Sequence, residues 1–468
     1  MTEKRRIIEE ELTALFHLEE GPYADLKHSE IAPAKLSKSV SAFCNTAGGE
    51  IIIGIGESKT GEKARYWAGY TDMEAANAVF QVIEDMLPLG NHYKATFLSA
   101  EPNPGVLLHL IVFKTPSIVR ASDGKAYIRR GAQNLAVETN DALRRLELDK
   151  GVVSFEDNPV VADNEVITNS LSALNFMLAV VPRSEPEDWL RKQNLLTKAG
   201  PTAAGVLLFA DEPQAILPKR SSIKVYRYQT KDIGTRESLA FDPITIEGCV
   251  YALIKEAVAK TKEIVEGISK LGPNGLERIT YPDDTLHEII TNAVLHRDYS
   301  VLSDVHVRIF DNRIEVESPG RLPGHVTREN ILNEQFARNP KVVRLINKFP
   351  DPPNKDVGEG LNTAFEAMKR LQLQPPEIEE TENAVIVYIR HTPLASPHDV
   401  VITYLQAHEE ISNRIVRELT GIGSENVVKQ VFLDLQSRNL IERVPGKKGS
   451  ASAWRKVTAS PGDGAADG

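Results

Sequence analysis

The stretch Leu286-His-Glu-Ile-Ile-Thr-Asn-Ala-Val-Leu-His-Arg-Asp-Tyr299 sets the interpretation of this chain. Its apolar residues recur on one face of a helix, and Pro282-Asp-Asp284 supplies a helix start. Glu288 and Asn292 are four residues apart, so a helix places them one turn apart on the same face. The carboxylate can activate a water and the amide oxygen can ligate a hard cation. The pair suits a magnesium–nucleotide site, although the same spacing is also common on a solvated helix face.

The segments that follow favour the first interpretation. Residues 305–310 and 314–318 alternate as two strands around the tight turn Asp311-Asn-Arg313, and the turn-rich Pro-Gly loop, residues 319–323, comes next. Further on, Gly358-Glu-Gly360 opens a helix, and backbone N–H groups at a helix start attract phosphate. The order is therefore an acidic-Asn helix, a hairpin, a Pro-Gly loop and a Gly-x-Gly helix start.

This order resembles the GHKL ATPase fold, and more narrowly its branch of RecG-like C-terminal ATP-binding domains. The family pattern reads E-x-x-x-N-A-x-x-H-R-D-Y, N/S-P-G, R-N-P and G-x-G. The matching positions, over roughly residues 278–392, are Glu288, Asn292, His296-Arg-Asp-Tyr299, Ser318-Pro-Gly320, Arg338-Asn-Pro340 and Gly358-Glu-Gly360. No P-loop of the form G-x-x-x-x-G-K-S/T occurs, so a motor helicase is not predicted.

The resemblance implies a site for ATP and Mg²⁺. Glu288 would be the general base, Asn292 the magnesium ligand, the Pro-Gly loop a wall of the adenine pocket, and residues 330–357 the lid. The residues expected to bind the cofactor are Asn292, Ser318, Gly320, Arg338, Gly358 and Gly360. One position departs from the family: an Asp-x-Gly-x-Gly loop usually reads the adenine amino group, and Ser318 stands where that Asp is expected.

The length, composition and charge of the chain restrict its possible folds and functions. Its 468 residues predict two to four domains, and 41% hydrophobic residues allow a sizeable core. We see neither an apolar run long enough for a bilayer nor a signal core, and Cys44 and Cys249 read as buried residues of a reducing cytoplasm. The formal charge of −10 argues against a coating polycation but allows a local basic patch for nucleic acid.

Residues 1–150 are expected to form the first domain. We predict helices at residues 4–18 and 33–44 and strands at 23–27 and 50–56. Asp25-Leu-Lys27, the run Ala42-Phe-Cys-Asn-Thr-Ala-Gly-Gly-Glu-Ile-Ile-Ile-Gly-Ile55 and Ala126-Tyr-Ile-Arg-Arg-Gly131 resemble the Schlafen/AlbA-like domain over about residues 10–140.

That resemblance implies contact with DNA or RNA, with Lys27, Arg129 and Arg130 as candidates for phosphate binding. Its Schlafen branch also includes metal-dependent RNases that use three carboxylates. The corresponding candidates are Glu20, Asp25 and Glu57, which could hold a divalent metal and activate water. Solvated surface carboxylates remain the alternative.

Residues 151–275 are expected to bridge to the ATP-binding domain, residues 276–393, with helices at 167–180 and 244–269 and a strand at 223–228. Residues 394–458 predict helices at 400–408 and 411–419, a third capped by Ser424, and a basic-tipped hairpin, which resembles a winged helix. The core face of the third helix is expected to include Val427, Val428, Val431, Phe432 and Leu435. Residues 459–468 are expected to be a disordered tail.

The C-terminal segment carries a local basic patch on an acidic chain. Six Lys or Arg and one acid lie in residues 436–457. The candidate nucleic-acid contacts are Asn426, Lys429, Gln430, Lys447 and Lys448. Winged helices also act as protein–protein modules, so this alternative stays open.

These observations predict a multidomain α/β (α+β) protein. The leading hypothesis is a cytoplasmic, ATP-binding, nucleic-acid-binding regulator of the transcriptional-regulator type, with ATP hydrolysis left open. The GHKL resemblance implies a homodimer or a higher homo-oligomer. The alternatives are a metal-dependent nuclease triggered by nucleotide, with phage defence as its candidate role, and an interaction scaffold with a degenerate ATP site.

Overall fold

The computed structural model describes residues 3–58, 64–217, 221–272, 275–278, 281–353, 360–371, 373–390, 397–420, 424–447 and 452–457. It confirms a multidomain mixture of helices and sheets. The chain divides into two compact units. The first comprises Met1–Met368 and Pro375–Arg390, and the second comprises Lys369–Gln374 and His391–Gly468.

The first unit begins with a five-stranded mixed sheet, in the order β1-β6-β7-β3-β2. The elements are β1 (Glu3–Arg6), α1 (Glu9–His17), β2 (Ala24–Lys27), α2 (Pro33–Asn45), β3 (Gly49–Ile53), β4 (Ile55–Glu57), β5 (Arg65–Trp67), α3 (Asn77–Glu84), β6 (Tyr93–Ser99), β7 (Leu107–Val112), β8 (Ala126–Arg130), β9 (Gln133–Val137) and α4 (Asn140–Lys150). Successive strand residues face opposite sides, so Ile51 and Ile53 pack with α2 and α3 while Ile52 packs with Leu12 of α1.

Two predictions for this region need correction. Residues 4–18 do not form one helix: residues 3–6 extend as β1 and pair in parallel with β6. Their charged side chains are all exposed, so the backbone pairing and not a hydrophobic pattern makes the strand. The strand expected at residues 50–56 breaks at Gly54, whose φ is +113°, and resumes as β4.

The middle of the chain adds small helices and the beginning of a second sheet. Its elements are α5 (Glu165–Thr168), α6 (Leu171–Val180), α7 (Pro186–Lys192), β10 (Leu196–Thr197), β11 (Gly200–Pro201), α8 (Ala203–Phe209), α9 (Pro213–Ile216), β12 (Ile223–Arg227), β13 (Ile244–Ile246), α10 (Val250–Glu266), β14 (Ser269–Gly272) and β15 (Gly275–Arg278). The helix expected at 167–180 is thus divided, and the one expected from 244 starts with a strand.

The second sheet has the order β13-β12-β16-β17-β19-β18. Its remaining elements are α11 (Asp283–Leu295), β16 (Val305–Ile309), β17 (Arg313–Pro319), α12 (Pro340–Ile346), α13 (Gly360–Arg370), β18 (Glu377–Glu380) and β19 (Ala384–Arg390). Strand β12 pairs in parallel with β16, so the sheet continues across the boundary expected at residue 275. The predicted helix and hairpin are present as α11 and β16–β17, and the predicted second helix begins at Gly360 as α13.

The second unit contains α14 (Pro397–Ala407), β20 (Ile411–Ser412), α15 (Asn413–Thr420), α16 (Glu425–Ser437), β21 (Ile441–Arg443) and β22 (Ala453–Lys456). The strands form an antiparallel sheet in the order β20-β22-β21. Phe432 and Trp454 stack in its core, with ring centroids 5.2 Å apart. Two expectations are wrong: Val427 is 50% exposed, and Ser424 at the start of α16 makes no side-chain capping bond.

No helix in the described part of the chain combines the length and hydrophobicity that a bilayer crossing requires.

Within the first unit, the end of α4 is fixed by a buried lysine. Lys150 is 1% exposed, and its Nζ donates to the carbonyl oxygens of Cys44, at 2.6 Å, and Thr115. Burial lowers the pKa of Lys150 to about 7, with the nearby charge of Lys114 acting in the same direction.

Replacing this lysine should flatten the pH dependence of stability. The pKa of Lys150 is about 7 in the folded state and about 10.4 in the unfolded chain, so the unfolded chain binds more protons between these values. Stability therefore rises with pH across this window, and this residue contributes about 2 kcal/mol of that rise between pH 7 and pH 9. Urea unfolding at both pH values should show a smaller rise for Lys150→Met.

The exposed Lys125→Met variant is the control and should keep the wild-type pH dependence. Lys114, whose pKa burial lowers to about 8, preserves part of the rise in every variant. An identical rise in wild type and Lys150→Met would contradict the assignment.

Candidate functional site

A cavity of about 490 Å³ lies between α11, the sheet and the Pro-Gly loop; we call it the α11 cavity. Polar residues at its lining include Asp284, His287, Glu288, Asn292, His296, Ser318, Glu334, Gln335, Asn362 and Thr363. Apolar side chains come from β17, β18 and β19 and include Val316, Ile378, Val385 and Val387. A largely apolar cleft with a few convergent polar groups is typical of a small-molecule site.

The predicted pair on α11 faces this cavity. The apolar stripe of α11, including Leu286, Ile289 and Ile290, is buried, which fixes the rotation of the helix. Asn292 Nδ2 donates to Glu288 Oε1 at 2.7 Å. Burial raises the pKa of Glu288, although the bond from Asn292 opposes the shift. A carboxylate with a raised pKa is better suited to accept a proton near neutral pH.

Gly360, the second glycine of the Gly-x-Gly motif, lies against this carboxylate. A Cβ atom on Gly360 would lie 2.8 Å from Glu288 Oε1, so a side chain here would displace the acid. Gly360 is the first residue of α13 and lines the cavity. Gly358, the other glycine of the motif, lies outside the described residues.

The Pro-Gly loop is held against the end of α11. Ser318 Oγ donates to the Ala293 carbonyl at 2.7 Å, and the Asp298 N–H donates to the Pro319 carbonyl at 2.8 Å. Gly320 has a φ of +100°, and a Cβ atom there would lie 2.4 Å from the Asp298 Cβ. Both the conformation and the close approach therefore require glycine.

The prediction that Arg338 binds the cofactor is corrected, because Arg338 is not among the residues that line the cavity. It is 5% exposed, and its guanidinium donates to the carbonyls of Leu148 at 3.0 Å and Arg321 at 2.6 Å. It also lies 3.3 Å from Asp298 Oδ2, which Arg145 contacts from α4. Burial alone would raise the pKa of Asp298, but the two guanidinium groups hold it below its usual value. Arg338 therefore positions the loops around the cavity.

Several residues of the cavity were not assigned from sequence. His296 lines it as a neutral imidazole, because burial and the charge of Arg338 lower its pKa to about 4. Phe336 also lines it, and its ring packs where Cβ atoms on Gly151 or Gly324 would lie, at 2.4 and 2.6 Å. His296 lies within the quoted stretch, four residues after Asn292, and this spacing is an available signal. The packing of Phe336 depends on residues far apart in sequence, so no local pattern predicts it.

The three predicted nuclease carboxylates are not brought into one cluster. Asp25 is 1% exposed and accepts from Lys27 Nζ at 2.6 Å, Ser39 Oγ at 2.8 Å and Arg129 Nη2 at 3.2 Å. Glu20 and Glu57 instead line a separate cavity of about 340 Å³, which Asp25 does not line. Over the residues described, no group of three or more His, Cys, Asp or Glu side chains is placed to hold a metal ion.

The basic candidates of the first unit are mostly engaged within it. The Arg129 side chain is 1% exposed and donates to Gly21 O at 3.0 Å and Asn134 Oδ1 at 2.8 Å. The prediction that Arg129 binds phosphate is therefore corrected, because its guanidinium holds parts of the protein together. Lys27 pairs with Asp25 and Glu20. Arg130 is exposed at the end of β8.

In the second unit, Asn426, Lys429 and Gln430 are exposed on α16. Lys447 is exposed in the hairpin and pairs with Glu410. Lys448 lies outside the described residues.

The fold is that of a multidomain α+β protein, and comparisons with known proteins match two of its segments to families. Residues 303–389 match the family described as "Putative ATP-dependent DNA helicase recG C-terminal", and residues 20–138 match the family "Schlafen, AlbA_2". The chain is therefore a fusion of a Schlafen/AlbA_2 domain with a RecG C-terminal-type ATPase domain. Helix α11, which carries Glu288 and Asn292, lies just before the matched residues 303–389.

One solved structure with a similar chain is the DIP2311 protein from Corynebacterium diphtheriae, at 17% identity and a TM-score of 0.41. The match covers 93% of this chain and 92% of that one. No curated protein matches the chain.

Gly320→Ala should destabilise the first unit by about 3 kcal/mol, because it combines backbone strain with a clash against Asp298. Gly131→Ala is a matched control: its φ is +53°, but nothing lies within 4 Å of the added Cβ. The control should cost only about 1 kcal/mol of strain. Thermal unfolding followed by circular dichroism measures both, and equal losses would contradict the close approach at Gly320.

Proposed function

We propose that the α11 cavity binds ATP with Mg²⁺ and that the protein is a nucleic-acid-binding regulator controlled by this nucleotide. One observation carries the nucleotide site: the Glu288–Asn292 pair faces the start of α13, where a Cβ atom on Gly360 would lie 2.8 Å from Glu288 Oε1. The family match of residues 303–389 to an ATPase-type domain supports the same proposal.

The residues present fit a magnesium nucleotide. The Asn292 N–H group is directed at Glu288, so its oxygen is the atom that can ligate a hard cation. Bound Mg²⁺ would offset the negative charge of the phosphates. Glu288 would accept a proton from an attacking water, and its raised pKa suits that task. The α13 start would face phosphate with backbone N–H groups.

The apolar wall of the cavity suits a nucleobase. Val316, Val385 and Val387 provide a surface on the sheet side, and Ala293 lies opposite on α11. Ser318 replaces the carboxylate that reads adenine in better-studied GHKL enzymes. Its hydroxyl proton is directed to the Ala293 carbonyl, so its oxygen could accept a hydrogen bond from an amino group. Adenine recognition is therefore proposed through this hydroxyl.

Nucleic-acid binding is proposed for the second unit and for the Schlafen/AlbA_2 domain. Three helices and a three-stranded antiparallel sheet within the described part of the second unit suit a winged helix, with α16 as the recognition helix. Arg443, Lys447, Arg455 and Lys456 lie on or beside its hairpin. Such a patch can bind phosphate although the whole chain is acidic. A homodimer is part of this proposal and follows from the GHKL resemblance alone.

Glu288→Gln should keep nucleotide binding within a few-fold while turnover falls by about 100-fold or more, because the amide preserves size but cannot accept the proton. Calorimetry with Mg²⁺ and a non-hydrolysable ATP analogue measures binding, and phosphate release measures turnover. Glu256→Gln, on the exposed face of α10, is the control and should match wild type. Turnover at the wild-type rate in Glu288→Gln would contradict its role as base, and a wild type that binds no nucleotide would contradict the site.

Lys447→Ala combined with Lys448→Ala should weaken DNA binding and lower the slope of log affinity against log salt by about 2, one for each lost phosphate contact. Filter binding of a duplex over a salt series measures both quantities. The control pair Lys260→Ala with Lys262→Ala removes the same charge from α10 and should leave the slope unchanged.

Equal slopes in the hairpin variant and the control would exclude the hairpin from the interface. The regulator role also requires that Mg²⁺–ATP change the DNA affinity of wild type. An affinity independent of nucleotide would leave two separate binding activities and would overturn the control that we propose.

A further inference from the structure

A lysine of the Schlafen/AlbA_2 domain reaches the wall of the α11 cavity. Lys114 follows β7 and is 6% exposed. Its Nζ donates to the carbonyl oxygens of Leu322, at 2.6 Å, and Val326, at 3.2 Å. These carbonyls bracket residues 322–326, which we call the wall segment. Leu322, Pro323 and Val326 of this segment line the cavity.

The other side of the wall segment is fixed by β18. Glu380 Oε1 accepts from the Leu322 N–H at 3.1 Å and from Arg321 Nε at 3.0 Å. Burial lowers the pKa of Lys114 to about 8, and the charge of Glu380 offsets part of that shift. The segment is thus held between a carboxylate of its own domain and an ammonium group from the neighbouring domain.

Helix α4 reinforces the same connection. Arg338 joins the Leu148 carbonyl of α4 to the Arg321 carbonyl beside the wall segment. The Phe336 ring, which lines the cavity, packs between Gly151 at the end of α4 and Gly324 in the wall segment. Lys150 ties the end of α4 to Thr115, the residue after Lys114. Two contacts therefore link α4 to this wall of the cavity, and Lys150 connects α4 to the domain that carries Lys114.

We propose that Lys114 is a positioning residue for the nucleotide site: it holds residues 322–326 in the shape that accepts nucleotide and so couples nucleotide binding to the Schlafen/AlbA_2 domain. This inference rests on the proposed nucleotide function. Coupling between two sites is reciprocal, so nucleotide that tightens the wall segment must also stabilise the contact at Lys114. A lysine that only filled space would not show this second effect.

The test uses the full chain with Lys114→Met, which keeps the length and apolar stem but removes both hydrogen bonds. Binding of the Mg²⁺ complex of a non-hydrolysable ATP analogue should weaken about tenfold, the expected effect of losing two buried bonds that help shape the site. In the absence of nucleotide, the amides of residues 322–326 should exchange hydrogen faster in Lys114→Met than in wild type. Lys94→Met, at an exposed lysine on β6, is the control and should match wild type in both measurements.

Unchanged affinity and unchanged exchange in a folded Lys114→Met protein would overturn the proposal. If wild type binds no nucleotide, the proposed function fails, and the exchange measurement alone still decides whether Lys114 holds the wall segment. If Lys114→Met does not fold, wild type with and without the analogue decides the coupling. Slower exchange around residues 113–117 with the analogue supports it, and unchanged exchange overturns it.

Discussion

The buried carboxylate of Asp298 is the constraint on which the candidate site depends. It is 1% exposed and receives two guanidinium groups, Arg145 from α4 and Arg338 from the segment before α12. Its backbone N–H holds the Pro-Gly loop through the Pro319 carbonyl. A buried charge is tolerated only when it is paired, so removing one partner would leave a costly uncompensated group. This ion cluster therefore fixes the start of the Pro-Gly loop at the edge of the cavity.

This arrangement separates the chemical groups from the groups that position them. Glu288 and Asn292 face the cavity near the middle of α11, while Asp298 lies just beyond the end of that helix and faces the ion cluster. The buried stripe of α11 connects the two, because it fixes the rotation of the helix against the sheet. A change in the cluster would therefore move the Pro-Gly loop relative to the acid. The geometry of the site is thus set by core packing and by interdomain ion pairs together.

Local patterns predicted α11, the β16–β17 hairpin and the start of α13, because helix periodicity, turn residues and glycine placement are encoded within a few residues. The residues that sequence reasoning misplaced are charged residues whose partners are distant in the chain. Arg129 was expected to bind phosphate and Asp25 to hold a metal or face solvent, yet the two pair in the interior across more than 100 positions. Arg338 read as a ligand contact for the same reason. A charged side chain gives no sequence signal of burial, because its partner is found only after the fold has formed.

The burial of these cationic side chains limits the surfaces that could bind nucleic acid. Lys114, Lys150, Arg129 and Arg338 donate to protein oxygens inside the first unit, so their charges do not face solvent phosphate. Lys27 pairs with both Asp25 and Glu20. Of the three cationic candidates named for the first domain, Arg130 is the exposed one. In the second unit, Arg443, Lys447, Arg455 and Lys456 stay exposed on one short hairpin. Phosphate binding depends on accessible charge rather than on total charge, so the electrostatic argument for nucleic acid rests mainly on this hairpin.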